Sequence, residues 1–366
     1  MRPAWLEVNL DALAHNVSLL RERAGGVPLI GVVKANAYGH GSVEVGRELV
    51  RLGVWGLAVA TVGEGRHLRE AGITAPVLLL GGLHPSQAGE VLAAGLIPSL
   101  STLETARALD RAARALGRRA VAHVKWDTGM GRVGFPWEDA ARVKAALEGL
   151  EELEVGGHYS HFADAEENDA WTRSQIAHFE AVRAVWGAGY LYHLANTAGI
   201  LNYPEAAYGA VRPGISLYGL WPGVGLKPVA RLLARPTLVK CLPPGYPIGY
   251  GGLYTTQGHE WIATLPVGYA DGMPRLLHNR ATVRLEGHNH PVVGRISMDQ
   301  ITVRVPGPVS LETVFEVVTP DFHPSSSLCG WAELTGTVSY EPAVRLAARL
   351  PRVYLRGGVE VARADA

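Results

Sequence analysis

Cysteine is nearly absent from this chain. Cys241 and Cys329 are the only two thiols among 366 residues, too few and too far apart for a disulfide framework or a metal clip, so a reduced compartment is expected. Net charge is absent as well: 34 Lys and Arg balance 34 Asp and Glu, which argues against nucleic acid as a partner. No window approaches the apolar length of a membrane helix. The opening MRPAWLEVNLDALAHNVSLL also lacks the charged head and unbroken apolar segment of a secretion signal. Together these absences predict a cytoplasmic, soluble protein with no membrane or nucleic-acid partner. What is present is apolar. With 48% hydrophobic and 19% charged residues, the chain can build a sizeable core and has little room for long disorder.

Short runs rich in branched residues alternate with Ala, Leu, Arg and Glu segments of helical period, the signature of βαβ units. Strands are predicted over 28–33 (PLIGVV), 54–60 (VWGLAVA), 76–80 (PVLLL), 96–100 (LIPSL), 120–126 (AVAHVKW), 153–159 (LEVGGHY), 190–195 (YLYHLA) and 207–211 (AYGAV). Between them GSVEVGRELVRLG, TLETARALDRAARALG and NDAWTRSQIAHFEAVRAVWG read as helices, each ending at a glycine. Eight strands in this rhythm predict an α/β fold, a (β/α)8 TIM-type barrel rather than an open sheet. The fourth and eighth are the least regular. Beyond residue 230 the rhythm changes to short alternating segments punctuated by proline and glycine (PTLVKCLPP, HEWIATLPVGY, RATVRLEG, ETVFEVVT), with helical character returning only in PAVRLAARL. The predicted division is a barrel over 1–230 and a mainly β C-terminal domain over 231–366.

In a barrel, chemistry gathers at the carboxyl ends of the strands. Those ends carry Lys34, Lys125 with Asp127 and Arg132, His161, Asn196 with Thr197, and Arg212. Taken singly, a strand-end lysine reads as a solvated loop residue and a histidine as a partner of a backbone carbonyl; five such ends converging on one rim read as a site. The rim is rich in cations and poor in carboxylates, which disfavours a metal centre. GHNHP, with His288 and His290, reads as a polar loop, and the glycines of PGVGL do not open a helix, so no dinucleotide fingerprint is supported. A reactive amine in a cationic rim points to Schiff-base chemistry on an anionic substrate or cofactor. That leaves a cofactor-free aldolase or a pyridoxal-phosphate enzyme.

The segment VVKANAYGHG resembles the cofactor-lysine signature of the alanine racemases. The resemblance runs in order through KWDTGMGRVG, HYSHF, HLANTAG, VRPGISLYG, IGYGGLY, LPVGYADG, VGRISMDQ and TVSYE, from the first barrel strand nearly to the carboxyl terminus. It implies a barrel followed by a β domain, pyridoxal 5′-phosphate as cofactor, and interconversion of L- and D-alanine that supplies D-alanine for peptidoglycan. Lys34 corresponds to the lysine that bonds the cofactor and serves as one base, so its amine must be available in the neutral form. Tyr250 corresponds to the base on the opposite face of the α carbon; its glycine neighbours make a core aromatic the weaker reading.

By the same resemblance, Arg212 faces the pyridine nitrogen, donating a hydrogen bond while hardly yielding a proton, which restrains transamination. His161 lies beside the cofactor ring, linked to that arginine, and helps orient Tyr250. Arg132 contacts the cofactor's phenolic oxygen and the substrate carboxylate, and Lys125, carbamylated in many members, positions it; an ordinary salt bridge to Asp127 is the alternative. The phosphate falls to Tyr38, Thr197 after Asn196, Gly214, Ile215 and Tyr340, with Thr197 standing where serine is common. Met298 frames the substrate end with Tyr340 and Tyr269, and Asp299, Arg275 and Arg295 line the way in. A homodimer with shared active sites is implied. The competing readings are a broad-specificity amino-acid racemase, a decarboxylase, which would present a carboxylate where Arg212 stands, and a non-catalytic carrier of the cofactor, which would need neither Tyr250 nor a β domain.

Overall fold

The computed structural model describes residues 2–365. The chain forms two compact units: one comprises Val17–Ala35 and Gly46–Gly214, the other the residues through Asn16, Asn36–Val45 and the residues from Ile215 onward. The first strand, β1 (Ala4–Asn9), belongs to the latter.

The first unit is a closed parallel barrel. Its strands are β2 (Ile30–Val32), β3 (Gly56–Val59), β4 (Val77–Leu79), β5 (Ser99–Leu100), β6 (Ala120–Asp127) with the stub β7 (Phe135–Pro136) beside it, β8 (Leu153–Tyr159) and β9 (Leu191–His193). Neighbouring strands pair in parallel, and a bridge from Leu78 to Ile97 joins β4 to the fifth stave. The ring closes through bridges from His193 to Ala210 and from Val211 to Leu29, with Ile30 N–H donating to the Val211 carbonyl at 2.8 Å. Ile30, Leu57, Ala58, Val59, Val77 and Leu78 have no exposed surface, as expected of strands covered on both faces.

The two irregular staves are short for local reasons. Pro98 interrupts LIPSL and has no N–H for the ladder. In AYGAV, Tyr208 sits in the left-handed region at φ 42°, so only Ala210 and Val211 make bridges. The predicted helices form over Ser42–Arg51, Leu103–Ala115 and Asp169–Trp186. Thr102 and Asn168 cap the last two, accepting from Thr105 N–H at 3.1 Å and Trp171 N–H at 3.0 Å, which satisfies donors the helix start leaves open.

The second unit holds a seven-stranded sheet, a three-stranded sheet and a two-stranded hairpin. Its remaining strands are β10 (Ala230–Ala234), β11 (Leu238–Leu242), β12 (Pro247–Ile248), β13 (Tyr254–Thr255), β14 (Glu260–Leu265), β15 (Thr282–Leu285), β16 (His288–Pro291), β17 (Ile301–Val305), β18 (Phe315–Val318), β19 (Arg352–Arg356) and β20 (Val359–Ala364). The large sheet runs β16-β15-β18-β10-β1-β19-β20. In it β1 is antiparallel to β10, Ala4 opposite Ala234, and parallel to β19; AWLEVN alternates buried and partly exposed positions, the period of a strand covered on one face. Two expectations are corrected. GHNHP is not a loop: Glu286 and Gly287, at φ 49° and 81°, make the tight turn, and His288–Pro291 return as β16 against β15. An additional helix forms over Leu328–Thr335, started by Ser327, whose hydroxyl accepts from Gly330 N–H at 3.0 Å, and stopped by left-handed Gly336. Five consecutive residues, 328–332, are buried, which hid its period. Among the described residues no helix is long and apolar enough to cross a membrane, and no cluster of His, Cys, Asp or Glu could hold a metal ion.

Candidate active site

Lys34 stands two residues past the end of β2 in the barrel unit. Its amine is held below the ordinary lysine value, first by burial and then by the charge of Arg132, against an opposing pull from Glu64. Glu64 was not foreseen. One of its carboxylate oxygens accepts Ala35 N–H at 2.7 Å and the other accepts Ala60 N–H at 2.7 Å and Thr61 N–H at 3.1 Å. Thr61 in turn accepts from Glu64 N–H, a capping box legible in the sequence as Thr61-Val-Gly-Glu64. The cap of one helix thereby anchors the backbone beside the lysine.

Arg212 is buried and its donors are almost all committed. Nη1 donates to the Nδ1 of His193 at 2.5 Å and to its carbonyl at 2.7 Å; Nη2 donates to the carbonyls of Ser160 at 2.5 Å and Leu194 at 3.0 Å. Among the described residues Nε–H alone has no acceptor. The guanidinium also lies over the ring of Tyr159, 5.1 Å from its centroid, and that ring stacks on His193 at 4.9 Å and 8°. His161 is pushed well below the usual histidine range by burial and by the charges of Arg212, Lys125, Arg132 and Lys34. Burial and the surrounding positive charge thus favour its neutral form.

Lys125 is buried, its amine pushed down to about 7 by burial and Arg212, with Asp127 opposing and Arg132 adding. It donates to the Trp126 carbonyl at 2.8 Å and stands over the Tyr159 ring at 5.3 Å. The alternative of a salt bridge to Asp127 is not realised: Oδ1 of Asp127 accepts the backbone N–H groups of Gly129, Met130 and Gly131 instead. Arg132, in the same loop, is exposed. Asn196 caps the turn Thr197–Asn202, accepting from Gly199 N–H at 3.0 Å, and Gly214 N–H faces the Thr197 hydroxyl at 3.4 Å. Ile215 opens the 3₁₀ turn Ile215–Tyr218.

The second unit carries the remaining candidates. After Lys34 the backbone enters a left-handed turn: Ala35, Asn36, Ala37 and Tyr38 have φ of 51°, 54°, 53° and 51°. For residues with a Cβ this costs roughly 1–2 kcal/mol each, so the surrounding structure must hold it. Tyr38 is buried, packs on Tyr218 at 5.0 Å and meets Tyr340 edge-on at 6.5 Å. Burial, and after it Tyr340, hold its phenol above the usual range. Among the described residues neither the Tyr38 nor the Tyr340 hydroxyl has a hydrogen-bond partner.

Tyr250 stands at the tip of the hairpin that joins β12 to β13, flanked by Gly249, Gly251 and Gly252 at φ of 70°, 71° and 54°. It is 71% exposed, so the core-aromatic reading fails. Arg295 lines this hairpin, its guanidinium beside Gly251. Met298 is 52% exposed, and its carbonyl accepts Ala270 N–H at 3.0 Å. Tyr269 and Arg275 line one cleft with Met273, Pro274 and Arg345, whereas Asp299 pairs with Arg349 at 2.8 Å. Behind Tyr269 lies an unforeseen carboxylate, Asp271, fully buried and bound by Arg2 and Arg349.

The fold is that of a barrel enzyme, with polar chemistry at the carboxyl ends of the barrel strands. Residues 8–222 match the family described as alanine racemase, N-terminal domain, and residues 229–354 the alanine racemase C-terminal domain. An alanine racemase of Symbiobacterium thermophilum is 42% identical over 97% of this chain and 97% of its own length. The solved alanine racemase of Clostridium difficile 630 superposes with a TM-score of 0.93 at 34% identity, covering 100% of this chain and 99% of that one. That of Bartonella henselae, which holds covalently bound pyridoxal phosphate, gives 0.86 at 27% identity, covering 97% of this chain and 100% of that one. The chain belongs to the alanine racemase family.

Proposed function

We propose that this chain interconverts L- and D-alanine with pyridoxal 5′-phosphate bonded to Lys34, using Lys34 and Tyr250 as bases on opposite faces of the substrate's α carbon. The observation that carries the reading is the Lys34 amine itself, just beyond the end of β2 and held below its ordinary value by burial and Arg132, so that its neutral, nucleophilic form is accessible.

The residues present fit the cofactor. Arg212, with both Nη atoms saturated, keeps one N–H, at Nε, for an acceptor such as a pyridine nitrogen. Tyr38 and Tyr340 offer hydroxyls that have no partner among the described residues, and Thr197, Gly214 and Ile215 supply a hydroxyl and backbone N–H groups for phosphate. Bound pyridoxal phosphate supplies an electron sink for the α carbon. Arg212 moderates that sink, because a guanidinium donates a hydrogen bond without surrendering its proton, and His161, kept neutral, does not compete with it. Arg132 holds the substrate carboxylate together with the Met298 segment, and Lys125, with an amine near 7, is reactive enough toward carbon dioxide to form the carbamate that would position Arg132. Tyr269, Arg275, Arg295 and Asp299 line the approach.

Tyr250 and Met298, both strongly exposed on the single chain, are supplied to the site by a second copy, so the active species is a homodimer. The functional division follows: a barrel domain over 1–230 that carries Lys34, and a β domain over 231–366 that carries Tyr250, supported by family matches that end at 222 and resume at 229. The product serves cytoplasmic D-alanine supply for peptidoglycan. A decarboxylase is the weaker reading because an arginine, not a carboxylate, occupies position 212.

Incubation with L-alanine in deuterated water tests the proposal. Loss of the α proton should accompany loss of optical rotation, and exchange with rotation retained would mean one-sided proton transfer and end the racemase reading. Tyr250→Phe should slow proton removal from one enantiomer by roughly 10²–10⁴-fold while the cofactor stays bound.

A further inference from the structure

The left-handed turn that carries Tyr38 is held by two side chains outside any role given so far. His40 has no exposed surface, and its Nδ1 lies 3.1 Å from the Ala37 carbonyl and 2.9 Å from the Tyr38 carbonyl. Both partners are acceptors, so Nδ1 carries the hydrogen. Among the described residues its buried Nε2 has no partner. A buried polar atom left unsatisfied is costly, and the half of the ring in use is the half that binds the turn. The same ring stacks on Tyr218 at 4.6 Å and 29°, the phenol against which Tyr38 packs.

Arg352, also buried, donates through Nε to the Gly39 carbonyl at 3.0 Å, while its Nη atoms bind the carbonyls of Leu346, Ala347 and Leu350. Three successive carbonyls of the turn, at residues 37, 38 and 39, are thus tied by two side chains, where a left-handed run of non-glycine residues would otherwise relax to the commoner right-handed or extended forms.

We infer that His40, assisted by Arg352, is a positioning residue for cofactor phosphate: by clamping the left-handed turn it fixes the Tyr38 hydroxyl where the phosphate is held. This rests on the proposed pyridoxal-phosphate reading. His40 does not touch the phosphate; it acts through the backbone of Tyr38. Burial also pushes the imidazole down to about 4, against the two carbonyl hydrogen bonds and with a further push from Arg352, so the ring is a neutral Nδ1–H donor over the working pH range.

The test uses the full-length protein freed of cofactor and titrated in parallel with pyridoxal 5′-phosphate and with pyridoxal, which lacks the phosphate, following the absorbance of the ligand bonded to Lys34. His40→Phe keeps the stacking on Tyr218 and removes the donor. His40→Asn keeps an N–H where Nδ1–H stands. His40→Phe should weaken pyridoxal phosphate about tenfold and leave pyridoxal within about twofold; His40→Asn should restore most of the loss. An unchanged ratio of the two affinities in His40→Phe, whether both are retained or both fall together, overturns the inference. Should that variant not fold, His40→Gln, whose amide reaches toward Nε2 rather than Nδ1, decides by the same ratio. If the unsubstituted protein bonds no pyridoxal phosphate at Lys34, the functional reading fails before the variants are compared.

Discussion

Arg212 donates through Nη1 to Nδ1 of His193 at 2.5 Å, and Nε2 of His193 faces Nδ1 of His123 at 2.9 Å. An arginine cannot accept, so His193 carries its hydrogen on Nε2 and donates it onward. Burial and Arg212 keep both imidazoles neutral: His123 is pushed down to about 4, and His193 lies well below the usual range, with His123 acting on it as well. A protonated His193 would face the guanidinium with like charge. His193→Phe should cost roughly 1–3 kcal/mol in urea unfolding, because a buried Nη1 donor loses its acceptor. His193→Asn, which can place an oxygen near the position of Nδ1, should cost clearly less. Equal losses in the two variants would mean that ring packing, not the hydrogen bond, is what matters.

Gly39, in the turn that follows Lys34, lies against the backbone of another segment. At φ 84°, a Cβ there would lie 2.1 Å from the Ala343 carbonyl oxygen, on the helix Tyr340–Val344. Gly39→Ala should destabilise the protein by at least about 2 kcal/mol, since both the backbone and the contact oppose it. Chemical denaturation measures it; a loss below about 0.5 kcal/mol would show that the two segments can separate freely.

Lys125 predicts a pH dependence with a definite sign. Its amine titrates near 7 when folded against 10.5 for a free lysine, so between these values the unfolded chain binds the extra proton and stability rises with pH. The melting temperature of the unsubstituted protein, measured against Lys125→Met in buffer freed of carbon dioxide, should therefore gain relative to the variant from pH 7 to 10. A flat difference would contradict a buried, unpaired amine.

Asp271 predicts the opposite limb. Burial works to raise its pKa, but hydrogen bonds from Arg2, Arg349 and Gly268 N–H prevail and leave it below the usual value. Its stabilising contribution is fully present above the unfolded pKa near 4 and is lost as pH falls through the lower folded value. Asp271→Asn should cost about 1–3 kcal/mol near pH 7, less than for a wholly buried pair because both arginines are partly exposed. The difference from the unsubstituted protein should shrink below pH 3.

The barrel was legible because its strands are covered on both faces and its helices carry a 3.6-residue period, signals that survive in a single sequence. β1 was not: AWLEVN reads as a strand only once β10 and β19, more than 200 residues away, are known to flank it. Lys34, Lys125 and Arg212 stood out as cations at strand ends. His193, His123, Glu64 and Asp271 did not, because each draws its role from a neighbour distant in sequence. Glu64 alone left a local trace, its capping box with Thr61. The left-handed turn at 35–38 leaves little trace: Asn36 alone favours that conformation, while Ala35, Ala37 and Tyr38 do not, and the turn is held by Glu64, His40 and Arg352, all outside it.

The central claim is that Lys34 is the residue that bonds the cofactor. Borohydride reduction of the pyridoxal-phosphate-loaded protein, followed by proteolysis and mass spectrometry, reads this directly. We expect one modified peptide, GVVKANAYGHG within it, with the pyridoxyl group on Lys34 and none on Lys125; an adduct on another lysine, or no adduct at all, contradicts the account.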